Sequence, residues 1–301
     1  MSLFGGKKNT PNIEEIIHLI LKNEENWLQQ VKQRSAELNF IRRFEIIKET
    51  LPKLDKVRAR DLIRMLMTDK EANLKNKLQD PQDKYTAIEC LSYFPSRETV
   101  ELLAELLGDK HEDVRLCAAG ALKNHTPRLV VPNVIRALIK GEVLAARAAD
   151  VLLAMGYLAE EALLENYPQA APEVKSQILE ILTLAKSPKI RPFLPEALHS
   201  GYLPLRKKAL EAVEALGFQE LWTGVLDGLV ENNWSIRAKT LETLGKLGVQ
   251  ESREFVELML ADDDPWVRES AKQCLLVLEK SGLNENRTDM DDNSGCKKEE
   301  A

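Results

Sequence analysis

Aromatic residues are scarce in this sequence: Phe, Trp and Tyr make up only 5% of its 301 residues, although 44% are hydrophobic. A chain of this length with a single large core would be expected to contain more large rings, so thin layers of small and aliphatic side chains are favoured. Strand signals are missing as well, because no stretch alternates apolar and polar residues between turn residues. These absences predict a single all-helical body rather than a sheet-based domain.

Cysteines are few, and long apolar runs are missing. The four cysteines, Cys90, Cys117, Cys274 and Cys296, are scattered without a CxxC pair, which argues against a disulfide framework or a cysteine metal site. No apolar stretch approaches the ~20 residues that cross a bilayer, and the start, MSLFGGKKN, lacks the apolar core of a signal peptide. We therefore expect reduced thiols, no cofactor and no metal, no transmembrane segment, and a cytoplasmic location.

What the chain has instead is a repeat of 30 or 31 residues that occurs seven times between Asp83 and Glu279. The repeat is marked by a basic residue that usually follows an apolar one. The basic positions are Lys84, Arg115, Lys175, Arg206, Arg237 and Arg268, with Ala145 as the exception. The preceding apolar positions are Val114, Leu144, Val174, Leu205, Ile236 and Val267, with Asp83 as the exception. A fixed period of this length is typical of a solenoid, whose units bury their apolar faces only against their neighbours.

Two further columns support this register. Three residues after the basic column stand Ala87, Ala118, Ala148, Ile178, Ala209, Thr240 and Ala271. Four residues later stand Leu91, Leu122, Leu152, Leu182, Val213, Leu244 and Leu275. These offsets fall on one face of a helix with about 3.6 residues per turn. The pattern therefore predicts the buried stripe of the second helix in each of seven helical hairpins.

The residues that begin these second helices resemble those of a known family. Asp264-Pro265-Trp266-Val267-Arg268, and less fully residues 109–115 (DKHEDVR), are similar to the turn and second-helix start of HEAT repeats. The resemblance is greatest to the bacterial type related to the phycocyanobilin lyase HEAT-like units, and it covers roughly residues 70 to 281. It implies a right-handed α-solenoid of about seven HEAT-like hairpins with an N-terminal helical cap.

The resemblance also implies a hydrogen-bonded ladder between repeats, formed by the basic residue and the acid six residues before it. The residues expected in this structural ladder are Asp109, Arg115, Lys175, Arg206, Glu231, Arg237, Asp262 and Arg268. Ala145 interrupts the ladder. Because these residues recur at one position of the repeat, we expect them to stabilise the fold rather than to perform chemistry.

The ends of the chain depart from the repeat. We expect a flexible N-terminus over residues 1–11, an N-terminal segment of about three helices over 12–69, the repeats over 70–281, and a disordered tail over 282–301. Through residue 70 the chain has 14 Lys and Arg against 10 Asp and Glu, a charge of +4, so the rest of the chain carries −10. The basic cluster consists of Lys53, Lys56, Arg58, Arg60 and Arg64. It is interpreted either as a solvated helix face or as a contact with an anionic partner.

Catalytic interpretations of a helical-repeat chain need residues that are largely missing here. The iron enzyme deoxyhypusine hydroxylase, which has HEAT-like repeats, uses several His-Glu pairs, whereas this chain has only His111-Glu112. HEAT-like DNA glycosylases line a basic groove, whereas the column five residues after the basic one is acidic here: Glu89, Asp150, Glu180, Glu211 and Glu242. These carboxylates would repel a phosphate backbone. A bilin lyase stays open, because the repeats resemble those of that enzyme.

The best candidate surface is the exposed side of the second helices. Its charged residues are expected to pair along each helix: Arg147 with Asp150, Lys208 with Glu211, and Lys239 with Glu242. Trp234 and Trp266 begin two successive second helices, where indoles either fill gaps between repeats or take part in binding.

These features predict a non-catalytic protein-protein interaction scaffold or adaptor. Its expected partner is another protein or a peptide, and nucleic acid is not expected to be the main partner. Two alternatives stay open. One is a repeat-built enzyme subunit such as a lyase-like factor. The other is an adaptor that docks on an anionic surface through the basic N-terminal helices.

Overall fold

The structure, a computed structural model, describes residues 12–22 and 25–294, with side chains described as far as Lys280. The secondary structure of these residues is helical, and they contain no strand. Contacts divide the chain into two compact units, one ending at Met155 and the other beginning at Gly156. The all-helical class predicted from composition and periodicity is confirmed.

The first unit contains ten α-helices within the described residues. They are α1 (Ile13–Lys22), α2 (Trp27–Ser35), α3 (Phe40–Thr50), α4 (Lys56–Met67), α5 (Glu71–Lys77), α6 (Lys84–Leu91), α7 (Arg97–Glu105), α8 (Glu112–Leu122), α9 (Pro127–Ile139) and α10 (Ala145–Ala154). The last six of these form three hairpins, α5 with α6, α7 with α8, and α9 with α10. In each hairpin the second helix carries the repeated columns.

The second unit contains eight α-helices within the described residues. They are α11 (Tyr157–Asn166), α12 (Pro172–Leu184), α13 (Leu194–Leu198), α14 (Leu203–Leu216), α15 (Trp222–Leu226), α16 (Trp234–Leu247), α17 (Arg253–Leu258) and α18 (Pro265–Ser294). They form four hairpins whose second helices are α12, α14, α16 and α18. Among these second helices, α12 packs on α14, α14 on α16, and α16 on α18.

The segment before the repeats has four helices rather than three. Asn12 begins α1, since its side-chain oxygen accepts a hydrogen bond from the backbone N–H of Glu14 at 3.1 Å. Asn26 adopts a left-handed conformation with φ of 64°, so a turn separates α1 from α2, which the apolar pattern alone does not predict. Pro52 lies in a 3₁₀ turn between α3 and α4, as expected of a residue that interrupts a helix.

The predicted buried stripe is present in the second helices. The alanine column is buried, and the leucine column is buried except at Leu275, which is half-buried. Leu144 departs from its column because 74% of it is exposed. Since α10 begins only at Ala145, Leu144 is the residue before the helix, and Val143 and Ala145 are buried instead.

The last helix extends further than the sequence pattern indicates. The repeat ends near residue 281, whereas α18 continues to Ser294. Residues 284–294 contain a single hydrophobic residue, Met290. A helix without an apolar face is marginal in water. The disordered tail over 282–301 and the flexible N-terminus over 1–11 remain predictions, because residues 1–11, residues 295–301 and the side chains after Lys280 lie outside the described residues.

Ion pairs connect neighbouring hairpins within each unit. In three repeats the basic side chain contacts a carboxylate 25 residues further along the chain. These pairs are Lys84 with Asp109 at 2.5 Å, Arg206 with Glu231 at 2.6 Å, and Arg237 with Asp262 through two bonds of 2.8 Å. Arg115 makes no such pair, because Lys140 occupies the position 25 residues on. Lys175 contacts Glu196 instead, at 2.9 Å.

The arginines also hold the turn that precedes their own helix. Arg115, Arg237 and Arg268 each donate Nη1 hydrogen bonds to the carbonyl oxygens five and six residues earlier, at 2.7 to 3.1 Å. These carbonyls belong to the turn between the two helices of the hairpin. The arginine therefore connects this turn to the second helix. This geometry supports a stabilising role for the ladder residues, which we propose.

We expect the carboxylates of this ladder to lower the free energy of unfolding when they are protonated in acid. The hydrogen bond from Arg237 lowers the pKa of Asp262 below its ordinary 3.8, although burial opposes the shift. A lowered pKa in the folded state stabilises the fold above about pH 3.8, and this contribution is lost as the pH falls through the folded pKa. The free energy of unfolding should therefore fall more steeply between about pH 5 and about pH 2 in the parent than in Asp262→Asn. Urea denaturation of both proteins at several pH values checks this. An equal fall in the free energy of unfolding in both proteins would contradict the expectation.

Candidate functional site

An open groove of about 630 Å³ lies across the second helices α14, α16 and α18 of the second unit. Its floor is closed by the tight packing of α16 on α18. A side chain at Gly245 would place its Cβ only 3.3 Å from the Cα of Cys274, so glycine permits this close approach. The volume of the groove lies within the range of typical ligand pockets.

Five of the eight residues predicted to bind a partner line this groove. They are Glu211, Trp234, Lys239, Glu242 and Trp266. Lys208 lies on α14 but is not among the lining residues, and Arg147 and Asp150 belong to the first unit. Lys207, Lys246 and Glu269 also line the groove, although the sequence pattern does not single them out.

The two tryptophans are exposed: 47% of Trp234 and 68% of Trp266 are accessible to solvent. Trp234 is the first residue of α16 and Trp266 the second residue of α18, and the two helix starts are capped in the same way. The Asn233 side chain accepts a hydrogen bond from the N–H of Ser235 at 2.9 Å, and Asp264 Oδ1 accepts one from the N–H of Trp266 at 2.8 Å. These caps fix the first turn, and the buried column starts after each indole. The interpretation that the indoles fill gaps between repeats is therefore wrong for both.

Four charged side chains form one network beside the indoles. Lys239 Nζ donates to Glu214 at 2.9 Å and to Glu242 at 3.0 Å, and Lys246 Nζ donates to the same two carboxylates at 2.5 and 2.7 Å. Hydrogen bonds from Lys246 and Lys239 lower the pKa of Glu242 against an opposing effect of burial. The hydrogen bonds to Glu214 and Glu242 raise the pKa of Lys246. Both shifts favour the charged forms of Glu242 and Lys246, as expected of two partners in an ion pair.

The predicted pairs along each helix are only partly present. Lys239 and Glu242 are paired, and Lys208 contacts Glu211 at 3.0 Å while also approaching Glu180 of the preceding hairpin at 3.6 Å. The pairing of Arg147 with Asp150 is wrong. Arg147 contacts Glu112 at 2.9 Å, and Asp150 contacts Lys123 at 2.8 Å. Helix periodicity predicts contacts within α10, whereas the stacked α8 offers closer partners.

Reversing the charge of Lys239 should destabilise the protein more than reversing that of Lys208. The Lys239 side chain is only 19% exposed, and Lys239→Glu would set a third carboxylate beside Glu214 and Glu242. Three carboxylates would then share the single cation Lys246, which we expect to cost about 2 kcal/mol. Lys208→Glu should cost less, about 0.5 kcal/mol, because its pairs are looser. Thermal denaturation of the two variants checks this order, and equal melting temperatures would contradict it.

The basic N-terminal cluster is partly occupied by contacts within the first unit. The Arg58 guanidinium lies 5.1 Å from the Trp27 ring centre and donates a hydrogen bond to the carbonyl of Ile20. Arg60 Nε contacts Asp61 at 2.9 Å. Lys53, Lys56 and Arg64 are exposed. An anionic partner would therefore meet three of the five predicted cations rather than the whole cluster.

Features of two other functional classes, metal sites and membrane spans, are missing from the same residues. The described part of the chain contains no group of three or more His, Cys, Asp or Glu side chains placed to hold a metal ion. It also contains no helix with the length and apolar content of a bilayer span. Cys90 and Cys274 are buried thiols without disulfide partners, Cys117 is a half-buried one, and Cys296 lies outside the described residues.

Comparisons with known proteins identify the repeat type. Residues 71–155 match the family model described as HEAT repeats, and no curated protein matches the sequence. The match concerns HEAT repeats in general rather than the phycocyanobilin lyase type.

Among solved structures, a mutant of the karyopherin Kap121p is 9% identical with a TM-score of 0.52, over 92% of this chain and 38% of that chain. YibA of E. coli is 16% identical with a TM-score of 0.39, over 85% of this chain and 97% of that chain. Human deoxyhypusine hydroxylase, in complex with glycerol, is 16% identical with a TM-score of 0.34, over 89% of each chain. Similarity at these identities concerns the fold alone.

Proposed function

We propose that the protein is a non-catalytic interaction module that binds a segment of another protein in the groove of α14, α16 and α18. The observation that carries this proposal is the pair of exposed indoles, Trp234 and Trp266, at one groove. Tryptophan is enriched in the central contacts of protein interfaces because it buries a large apolar area and still has an N–H to donate.

The charged network supports the same function. Lys239, Lys246 and Glu242 line the groove, and their hydrogen bonds to one another and to Glu214 fix them without help from a partner. A surface held in place before binding loses less side-chain entropy when the partner arrives. The groove therefore combines two apolar anchors with a prearranged polar wall, which is the arrangement expected of a peptide-binding site.

The lyase-like alternative rests on the finer resemblance of the repeats to phycocyanobilin lyase units. It leads to a different observation on the purified protein. A factor that handles a tetrapyrrole should carry visible absorption when it is isolated from cells that make the pigment, whereas an interaction module should show only the absorption of its aromatic residues. Absorption spectra of the protein from its native cells separate the two proposals.

The groove proposal is tested by removing both indoles. The Trp234→Ala/Trp266→Ala double variant should lose most of the partner that co-purifies with the parent, with affinity reduced at least about 100-fold, because two central aromatic anchors each contribute on the order of 1 to 2 kcal/mol or more. The measurement is quantitative affinity isolation from native cells, followed by titration of the purified partner.

Phe255→Ala is the matched control for the double variant. Phe255 is an aromatic residue of similar exposure, 45%, but it lies on α17 and does not line the groove. Its removal should leave partner capture unchanged. Circular dichroism should show equal helicity in all three proteins. Undiminished capture by the double variant would contradict the proposed function.

A further inference from the structure

The chemistry of the groove indicates what kind of segment it takes, and this inference rests on the proposed function. The lysines of the network, Lys239 and Lys246, already donate to Glu214 and Glu242. Glu214 and Lys239 are the more enclosed members, with side chains 16% and 19% exposed. The network therefore offers no cation without a carboxylate of its own.

The outward-facing acids of the groove are held less firmly. Glu211 contacts Lys208 on its own helix at 3.0 Å, and Glu269 contacts Lys272 at 3.5 Å. Exposed pairs of this kind contribute little stability and exchange partners readily. A cationic group of a ligand can therefore bind these carboxylates without disturbing the fold. Lys207, which also lines the groove, is a single cation beside them.

The indoles add a second preference for cations. The face of an indole ring attracts ammonium and guanidinium groups. Within the described residues, cations lie over the rings of Trp27, Phe44 and Tyr167, but none lies over Trp234 or Trp266. These two indoles are therefore open to a cation supplied by a partner.

The net charge of the second unit also favours a cationic ligand. Residues 156–280 contain 14 Lys and Arg against 20 Asp and Glu, which gives a net charge of −6. Complementary charge accelerates the encounter of partners and selects among them. A basic segment would be attracted to this unit, and an acidic segment or a nucleic acid would be repelled.

The separation of α16 and α18 limits the spacing of the charges on the ligand. Trp234 is the first residue of α16 and Trp266 the second residue of α18, and the axes of packed helices lie ~8 to 10 Å apart. An extended chain covers this distance in about three residues. We propose that the groove binds an extended peptide segment of another protein that presents two Lys or Arg residues about three positions apart, one toward each indole and its neighbouring carboxylate.

A selection from random 12-residue peptides displayed on phage tests this proposal. The parent and the Trp234→Ala/Trp266→Ala variant are used in parallel, and only peptides retained by the parent alone are counted. We expect these peptides to be enriched in Lys and Arg at a spacing of about three residues. Enrichment of acidic or uncharged peptides that need the indoles would overturn the cationic inference and leave the proposed function standing. Finding no peptide that needs the indoles would overturn both.

Titration calorimetry of the best synthetic peptide gives the second readout. Glu211→Gln and Glu269→Gln should each weaken its binding by about threefold to tenfold, as expected for the loss of one exposed charge contact. Both residues form exposed pairs outside the central network, so neither substitution should alter the fold. Phe255→Ala should bind the peptide like the parent. Unchanged affinity in both glutamine variants would contradict the role of the carboxylates.

Discussion

Replacing Arg237 with alanine should lower the free energy of unfolding by about 3 kcal/mol, because it leaves a nearly buried carboxylate without its partner. Arg237 donates two hydrogen bonds of 2.8 Å to Asp262, whose side chain is only 8% exposed. It also donates to the carbonyl oxygens of Glu231 and Asn232 at 2.7 and 3.1 Å. One substitution thus breaks the link between two hairpins and the cap of one turn.

Arg253→Ala is the control for this substitution. Arg253 also forms two ion pairs, with Glu257 at 3.0 Å and with Glu279 at 3.2 Å, but these side chains are well exposed. Solvent screens such pairs, so the urea midpoint of Arg253→Ala should stay close to that of the parent. If Arg237→Ala also kept the parent midpoint but lost partner binding, the ladder would have a functional role rather than a structural one.

Replacing Gly108 with alanine should destabilise the first unit by about 3 kcal/mol, because the added methyl group meets backbone rather than a flexible side chain. The new Cβ would overlap the carbonyl oxygen of Glu142 and lie 3.3 Å from its carbonyl carbon. The turn at Glu142 is itself held by a hydrogen bond from its N–H to the carbonyl of Ala137 at 3.0 Å. Neither backbone can move aside without breaking local hydrogen bonds.

Gly120→Ala should raise the free energy of unfolding, whereas Gly108→Ala lowers it. Gly120 is exposed in the last turn of α8, and a Cβ added there would have no atom from outside its own helix backbone within 4 Å. Alanine is favoured over glycine inside a helix by about 1 kcal/mol, so this variant should be more stable than the parent. Urea denaturation of both variants shows whether the loss of stability comes from the close contact at Gly108 or from replacing any glycine. A destabilised Gly120→Ala, or a neutral Gly108→Ala, would contradict this explanation.

The hairpins are predictable from the sequence because each repeat buries the same positions. The columns that contain Ala118 and Leu122 recur at a helical spacing, and such periodicity reports directly on burial. The pattern fails at Leu144, where α10 begins one residue later than the column requires. A column gives the face of a helix but not its first residue, and α10 begins at Ala145, after the column position Leu144.

The groove is less predictable because it depends on contacts between helices. Trp234 and Trp266 stand out as candidates in the sequence, since both lie at the start of a second helix in successive repeats, although they are one register position apart. Their exposure cannot be read from the sequence. Glu214 and Lys246 do not stand out, because neither has a counterpart in every repeat. Their importance becomes clear only when α14 and α16 are packed together and four charges meet.

Photo-cross-linking at position 266 tests the central claim most directly. A photoreactive phenylalanine analogue is placed at Trp266 in one protein and at Phe255 in another, and both are irradiated in native cells. If the groove binds a segment of another protein, Trp266 should yield a discrete cross-linked species that disappears when an excess of the unlabelled parent competes, while Phe255 should yield none. A competed cross-link at Phe255 without one at Trp266 would contradict the account, because the partner would then contact α17 and not the groove.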